Sequence, residues 1–325
     1  MILNSLFRRI LCPAGFALAL LPLAAQAQDA KPIEWVVGYA TGGGSDAVAR
    51  ATAETMSKTL GQIILINNKP GAATNIAADY VARAKDYGHV MLTADFATLA
   101  ANPFLFSRLS YNAEKDLAPV GMLARFPLVL VVGTNVPANN LKEFLAWAKA
   151  QPNGVNYASA GAGSPHHLAT ELLREKTGLK MTHVPYRGAA PAMQDILGGV
   201  VPCMLVDTAS GNQFVLAGKV KAIGVASAQR IATLPDVPTL AEQGLTGFEA
   251  YAWQGVSVPA GTPPEIVARL NKALVDTLNS TTVKARFQAL GVEGLPGTPA
   301  QMASYVKGER ERWGRLIRDN GIKVD

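Results

Sequence analysis

Cysteine is almost absent from this 325-residue chain, which has Cys12 and Cys203 and no others. Cys12 falls in a leader-like segment, so the remainder carries a single thiol. That excludes an internal disulfide and a thiolate metal cluster. Cys203 lies in the apolar run Val200-Val201-Pro202-Cys203-Met204-Leu205-Val206, which reads as a buried strand with a packed, inert thiol. Dense blocks of Lys and Arg are missing as well. The formal charge of +6 is mild and scattered, which argues against nucleic acid as a partner. Past the leader, no stretch reaches the roughly 18–20 apolar residues that crossing a bilayer needs.

Motifs for chemistry are missing too. The four histidines, His89, His166, His167 and His183, show no HExxH spacing. His167 and Glu171 would share a helix face as half a metal site, but such a pair reads better as a surface contact. Ser257 has Gly255 before it and Pro259 after it, so the nucleophile elbow G-x-S-x-G is absent. Gly42-Gly43-Gly44 lacks the G-x-G-x-x-G spacing and no Gly-Lys-Ser/Thr follows; Gly161-x-Gly163 has His166 where a third glycine belongs. No enzyme activity, metal or cofactor is expected.

The N-terminus reads as an export signal. Arg8 and Arg9 head an apolar run, Ile10 to Leu23, broken by Pro13, and Ala25-Gln26-Ala27 gives an A-x-A cleavage pattern. A retained anchor is the rival reading. Removing residues 1–27 takes away two arginines and no acids, which lowers the formal charge to +4 and leaves 298 residues. That length suits one or two well-cored domains.

Two loops are shaped to hold an anion. Tyr39-Ala40-Thr41-Gly42-Gly43-Gly44-Ser45-Asp46 joins the strand-like Ile33 to Gly38 to a helix from Ser45 to Leu60. Ser159-Ala160-Gly161-Ala162-Gly163-Ser164-Pro165 follows the strand-like Val155 to Ala158 and opens a second helix. Glycine lets backbone approach a ligand closely, and a helix start offers free N–H groups and partial positive charge. Ser45 is expected to cap the first helix and Gly61 to end it, with Pro165 at the first position behind a capping Ser164. His166 and His167 stand in the first turn, where either can face a carboxylate or cap and pack. Each loop alone is equally a tight turn before a helix; two in one chain favour a ligand site.

Apolar runs at Ile63 to Ile66, Val90 to Thr93, Leu128 to Val132, Lys221 to Ala226 and Tyr251 to Val258 alternate with amphipathic stretches. That alternation predicts an α/β fold with parallel-rich sheets covered on both faces. Glu265 to Asn279 and Pro299 to Asn320 read as helices, the latter with a solvated charged face. No internal repeat or low-complexity tract is present.

The chain also resembles the receptors of tripartite tricarboxylate transporters, the Bug or TctC-type periplasmic solute-binding proteins. The resemblance runs through Gly42-Gly43-Gly44-Ser45-Asp46, Asn67-Asn68-Lys69-Pro70-Gly71-Ala72, Ala101-Asn102-Pro103 and Asn156-Tyr157-Ala158-Ser159-Ala160-Gly161. It continues through Val184-Pro185-Tyr186-Arg187-Gly188, Leu234-Pro235-Asp236-Val237-Pro238-Thr239, Phe248-Glu249-Ala250 and Pro259-Ala260-Gly261-Thr262-Pro263.

The resemblance implies a two-lobed periplasmic-binding-protein fold, type II-like, that closes as a flytrap. Residues 28–130 plus 252–325 would form lobe 1 and residues 131–251 lobe 2. It implies a monomer that binds a small organic carboxylate without cofactor and delivers it to large and small membrane subunits. The ligand-binding set it implies is Tyr39, Thr41, Gly42, Gly43, Ser45, Asp46, Asp95, Thr98, Ser159, Gly161, Ser164, His167, Tyr186 and Asp207. Asp46 is equally read as stabilising its helix. A ligand-presenting sensor for a two-component signalling system is the alternative function.

Four departures from the family pattern matter. Ala40 and Thr41 stand where two prolines usually precede the glycines. Asp95-Phe96-Ala97-Thr98 replaces a small, hydroxyl-rich stretch, and Lys85-Asp86-Tyr87-Gly88 reorders a common Asp-Gly-Tyr turn. The usual acidic residue aligns with Val206, leaving Asp207 one place late, on the strand's other face unless its end bends. Two readings of Asp95 stay open. It either meets a cationic group on the ligand, with Phe96 stacking on the ligand body, or turns away to cap a helix start near Thr98.

Overall fold

A computed structural model describes residues 31–324; the expected signal segment, 1–27, lies outside the described residues. The chain runs β1 (Ile33–Val37), α1 (Gly44–Leu60), β2 (Ile64–Asn68), α2 (Asn75–Ala82), β3 (Val90–Asp95), α3 (Asn102–Leu105) and β4 (Leu117–Gly133). Next come α4 (Leu141–Lys149), β5 (Val155–Ser159), α5 (Pro165–Thr177), β6 (Met181–Pro185), α6 (Ala189–Leu197), β7 (Cys203–Asp207), α7 (Thr208–Leu216) and β8 (Val220–Val225). The last elements are β9 (Tyr251–Pro259), α8 (Pro264–Asn279), α9 (Thr281–Leu290), β10 (Glu293–Gly294) and α10 (Pro299–Asp319).

The strands form one mixed sheet in the order β2-β1-β3-β9-β4-β7-β5-β6, with β8 and β10 also pairing with β4. Each end of the sheet is a parallel set, β2-β1-β3 on one side and β7-β5-β6 on the other. The centre is antiparallel, which a parallel-rich reading of the sequence does not anticipate. There β4 changes partner along its length. Leu117 to Pro127 pairs with β9, and Leu128 to Gly133 pairs with β7 and β8. The chain crosses between the two parts again after β8, where Ala226 N donates to Leu128 O and Ala250 N donates to Ala226 O.

Strict alternation divides the buried strands between two cores. Leu128, Leu130, Val132, Cys203 and Leu205 face the larger cluster, while Val129, Val131, Met204 and Val206 face a second one with Ala192, Met193 and Ile196 of α6. Strands sandwiched between helical layers bury both faces, so their sequences read as continuous apolar runs. Cys203 is packed among them, and burial pushes its thiol up to about 12. In the larger core Phe96 meets Trp253 and Trp313 edge-on, at ring separations of 6.0 and 5.2 Å. Phe96 is therefore core and has no face left to stack on a ligand.

Behind the second loop, Tyr157, His183 and His167 stack, with the two imidazole centroids 3.9 Å apart and the rings 9° from parallel. Burial pulls His167 down to about 3, helped by His183 and Arg174, and burial pulls His183 down to about 4. Free histidine titrates near 6.5, so the unfolded chain takes up protons where the native stack does not. The stability held this way is complete above pH about 6.5 and is lost as pH falls through that value toward 4 and 3. Thermal melts between pH 7 and 4.5 are expected to show a falling midpoint, with the fall reduced in His167→Gln. A midpoint flat across that window contradicts the neutral stack.

Candidate functional site

Parallel strands bring their carboxyl ends to one edge, and the loops that follow them start helices there. Here that edge gathers the ends of β1, β3, β5, β6 and β7 around a cavity of about 30 Å³. Gly43, Gly44 and Ser45 reach it from the start of α1, Pro165 and His166 from α5, Ala189 from α6, and Asp207 from the cap of α7. Tyr39, Asp95, Phe126, Ala160, Ala252, Trp253 and Gln254 complete the wall. Four helix N-termini therefore bear on one small space, and each adds partial positive charge to it.

The four ends are not equivalent. Ser164 caps α5 by accepting from His167 N, and Asp207 caps α7 by accepting from Ser210 N. The caps of α1 and α6 are Gly43 and Gly188, which have no side chain to offer. Ser45 does not cap α1 as expected; it sits one residue inside the helix and receives a hydrogen bond from Gln254 Nε2. Gly44 N of α1 is taken by Ser210 Oγ at 2.8 Å, but no cap side chain occupies the other first amides of α1 and α6, which makes these the ends open to a ligand.

The first loop keeps its shape without the usual prolines because Asp46 folds back under it. Its oxygens accept from Gly42 N at 3.0 Å, Arg50 Nε at 3.0 Å and Asn68 Nδ2 at 3.0 Å, and Asn68 Nδ2 also donates to Tyr39 O. Burial works to raise the Asp46 carboxyl, but Arg50, the Gly42 amide and Asn68 together hold it below its ordinary value. Gly42 occupies the left-handed region, φ 89°, as the turn requires.

The expected residues divide by position. Tyr39, Gly43, Ser45, Asp95 and Asp207 line the cavity. Thr41 and Gly42 are exposed at the loop's outer bend, and Asp46 is buried beneath it. Thr98 is fully buried against Thr74 Oγ1 at 2.9 Å. Ser159 pairs with His183 Nε2 at 2.6 Å, and its hydroxyl is bridged to both backbone groups of Gly161. Gly161 adopts φ 133° with Tyr186 O nearby. Ser164 is spent on its cap. Tyr186 donates to Asp195 at 2.5 Å, and burial, then Asp195, push its hydroxyl up to about 12. His167 turns inward, its Nδ1 accepting from Gly163 N at 3.1 Å, while its neighbour His166 faces the cavity.

Asp95 both lines the cavity and caps locally, accepting from Thr98 N at 2.9 Å and Tyr39 OH at 2.6 Å. Burial raises its carboxyl despite those bonds, and burial with the Asp95 charge raises Tyr39. Asp207 reaches the cavity because β7 ends at it and bends into α7, at φ −68° and ψ 148°. Val206 meanwhile packs in the second core. Asp207 meets His166 Nε2 at 3.0 Å, with both side chains about 6% exposed. Gly44, Phe126, Pro165, His166, Ala189, Trp253 and Gln254 are wall residues that the expected set lacks. Gln254 and Trp253 come from β9, whose apolar pattern reads only as buried strand. Glu171 accepts from Tyr157 OH and pairs with Arg174, and among the described residues no cluster suits a metal ion.

Residues 48–322 match the family described as "Tripartite tricarboxylate transporter family receptor". Over 316 residues the chain is 38% identical to the "UPF0065 protein in tcbD-tcbE intergenic region" of Pseudomonas sp. strain P51, covering 95% of this chain and 93% of that one. Among solved structures it is similar to R. palustris Rpa4515 with adipate, at 32% identity and TM-score 0.87 over 90% of this chain and 98% of that one. It is also similar to MatC from Rhodopseudomonas palustris with bound malate, at 36% identity and TM-score 0.83 over 88% and 98%. The two-core mixed sheet, the helix starts meeting at one cavity and these matches lead to one conclusion: the chain belongs to the tripartite tricarboxylate transporter receptor family, whose members are solute-binding receptors and not enzymes.

Proposed function

We propose that this protein captures a small organic carboxylate in the periplasm and delivers it to the large and small membrane subunits of a tripartite tricarboxylate-type transporter. On this reading residues 1–27 direct export and are removed, and the mature chain acts as a monomer. The carrying observation is the pair of uncapped helix starts, at Gly43 and Gly188, facing one cavity. Backbone amides at a helix start bind a carboxylate through charge-assisted bonds. The related R. palustris proteins with adipate and with malate support an acid of that kind. Among the described residues no helix is long and apolar enough to cross a membrane, in keeping with a receptor that hands its ligand to separate membrane subunits.

A cavity of about 30 Å³ holds a water or two, so any such ligand enters only when the walls part. The two lobes proposed to move are residues 28–130 plus 252–325, and residues 131–251. The contact between them is close: Gly44 N donates to Ser210 Oγ at 2.8 Å. A Cβ added to Gly44 would lie 2.3 Å from Asp207 Oδ1 and 3.0 Å from Ala209 Cβ. Ligand drives closure only by binding the closed form more tightly than the open one.

Two substitutions separate binding from closure. A Cβ on Gly43 meets nothing nearer than Ala40 O at 3.8 Å and Ala189 N at 4.0 Å, so the backbone there has room for a side chain, and the branches of Gly43→Val would take up the space between α1 and α6. Loss of a charge-assisted contact is worth about 1.5–3 kcal/mol, roughly 10- to 150-fold in Kd. Calorimetric titration with malate and with adipate is expected to show at least that loss at an unchanged melting temperature; unchanged affinity places the site elsewhere. For Gly44→Ala, small-angle scattering is expected to show weaker ligand-induced compaction than wild type. Equal compaction in the two proteins contradicts closure through the Gly44–Asp207 contact.

A further inference from the structure

Two atoms at the cavity are left over by the network around them. Gln254 and His166 both line it at 3% and 5% exposure, and Gln254 Oε1 and His166 Nδ1 are buried without a hydrogen-bond partner. Buried polar groups in native proteins are nearly always satisfied, so two exceptions at one wall call for a cause. The opposite ends of both side chains are engaged. Gln254 Nε2 donates to Ser45 Oγ, which leaves the amide oxygen as the free end. His166 Nε2 lies 3.0 Å from Asp207 Oδ2. An ionised carboxylate only accepts, so Nε2 carries a ring hydrogen, and with that single hydrogen on the ring Nδ1 keeps a lone pair.

Gln254 Oε1 can only accept, and His166 Nδ1 accepts while the ring carries that one hydrogen; the two side chains reach the cavity from β9 and from the start of α5. Donors come from elsewhere, from the first amides of α1 and α6. A plain carboxylate matches the amides and leaves the two acceptors unmet. Asp95 cannot serve them, because it is itself an acceptor, with its oxygens taken by Tyr39 OH and Thr98 N. Nor can Asp207, which accepts from Ser210 N at 2.9 Å and faces the same imidazole. The Gln254 amide is bonded to Ser45 at the start of α1, so a donor that meets its oxygen lies close to a carboxylate held there.

We propose that the ligand carries a hydrogen-bond donor, a hydroxyl or an ammonium, on the carbon beside its carboxylate, and that Gln254 Oε1 and His166 Nδ1 recognise it. This rests on the carboxylate reading above and narrows it from organic acids in general to 2-hydroxy or 2-amino acids. Gln254 is then the residue that sets specificity, while the helix starts supply affinity common to every acid.

Two matched series test it by calorimetry on the mature protein: succinate, L-malate and L-aspartate, then propionate, L-lactate and L-alanine. Within each series the skeleton and carboxylates stay fixed and only the 2-substituent changes. At least one donor-bearing member is expected to bind roughly 10- to 150-fold more tightly than its donor-free parent. Which member leads tells hydroxyl from ammonium. In Gln254→Met, which keeps the bulk and loses the acceptor, that ratio is expected to shrink toward one. Equal binding within both series, or a ratio unchanged by Gln254→Met, overturns the inference and leaves the carboxylate reading standing. Should Gln254→Met fail to fold, the wild-type ratios alone decide. No binding by any of the six acids removes both.

Discussion

Asp46 carries its charge inside the loop that it shapes, and the geometry of the cavity follows from that. By accepting from Gly42 N, Arg50 and Asn68 at once, it pins the turn from below and ties it to β2. A carboxylate with three such partners stays ionised at neutral pH and remains locked in place. The loop can then leave its glycine cap bare, with the start of α1 at the cavity and only Gly44 N engaged, by Ser210 Oγ. Asp46 thus acts on the ligand site by holding the loop, without reaching the cavity itself.

The other interactions around the cavity divide the same work. Side chains satisfy α5 and α7 through Ser164 and Asp207, while α1 and α6 begin on glycines that satisfy nothing. The result is a space with local positive potential that has no formal positive charge from Lys or Arg in its wall. Such a site suits reversible capture. Each helix start contributes about 0.3–1 kcal/mol, enough in sum to hold an anion and small enough to let it go.

Much of the fold was legible in the sequence because its signals are local. The αL glycines after α1 and α5, the Ser164-Pro165 start, and the buried apolar strands are all set within a few residues. β4 was only partly legible, because Pro119 and Gly121 interrupt its pattern where the structure has a register shift against β9. Its change of partner at Pro127 and Leu128 depends on distant residues, Tyr251 of β9 and Asp207 of β7. The loops of the site were legible, but its wall was not. Thr98, Ser159 and Ser164 looked like hydroxyls for a ligand, yet short polar side chains readily bond to nearby backbone, and two of the three are spent on local backbone bonds. Whether His166 or His167 faces the cavity is a matter of 100° of helical rotation. That rotation is decided by the stack of His167 on His183, which lies on another strand. Asp207 reached the cavity through a strand end that bends, a feature strand parity alone does not show.

The central claim is that the ligand carboxylate lies on the amides at the starts of α1 and α6. Amide NMR shifts followed during titration with L-malate, or with whichever small dicarboxylate saturates the protein, test this most directly. The account predicts downfield amide proton shifts at Gly43, Ser45 and Ala189 that track saturation and are larger than those at the side-chain-capped start of α7. Saturation that leaves these three amides unmoved, with the shifts gathered at residues outside the cavity, would contradict it.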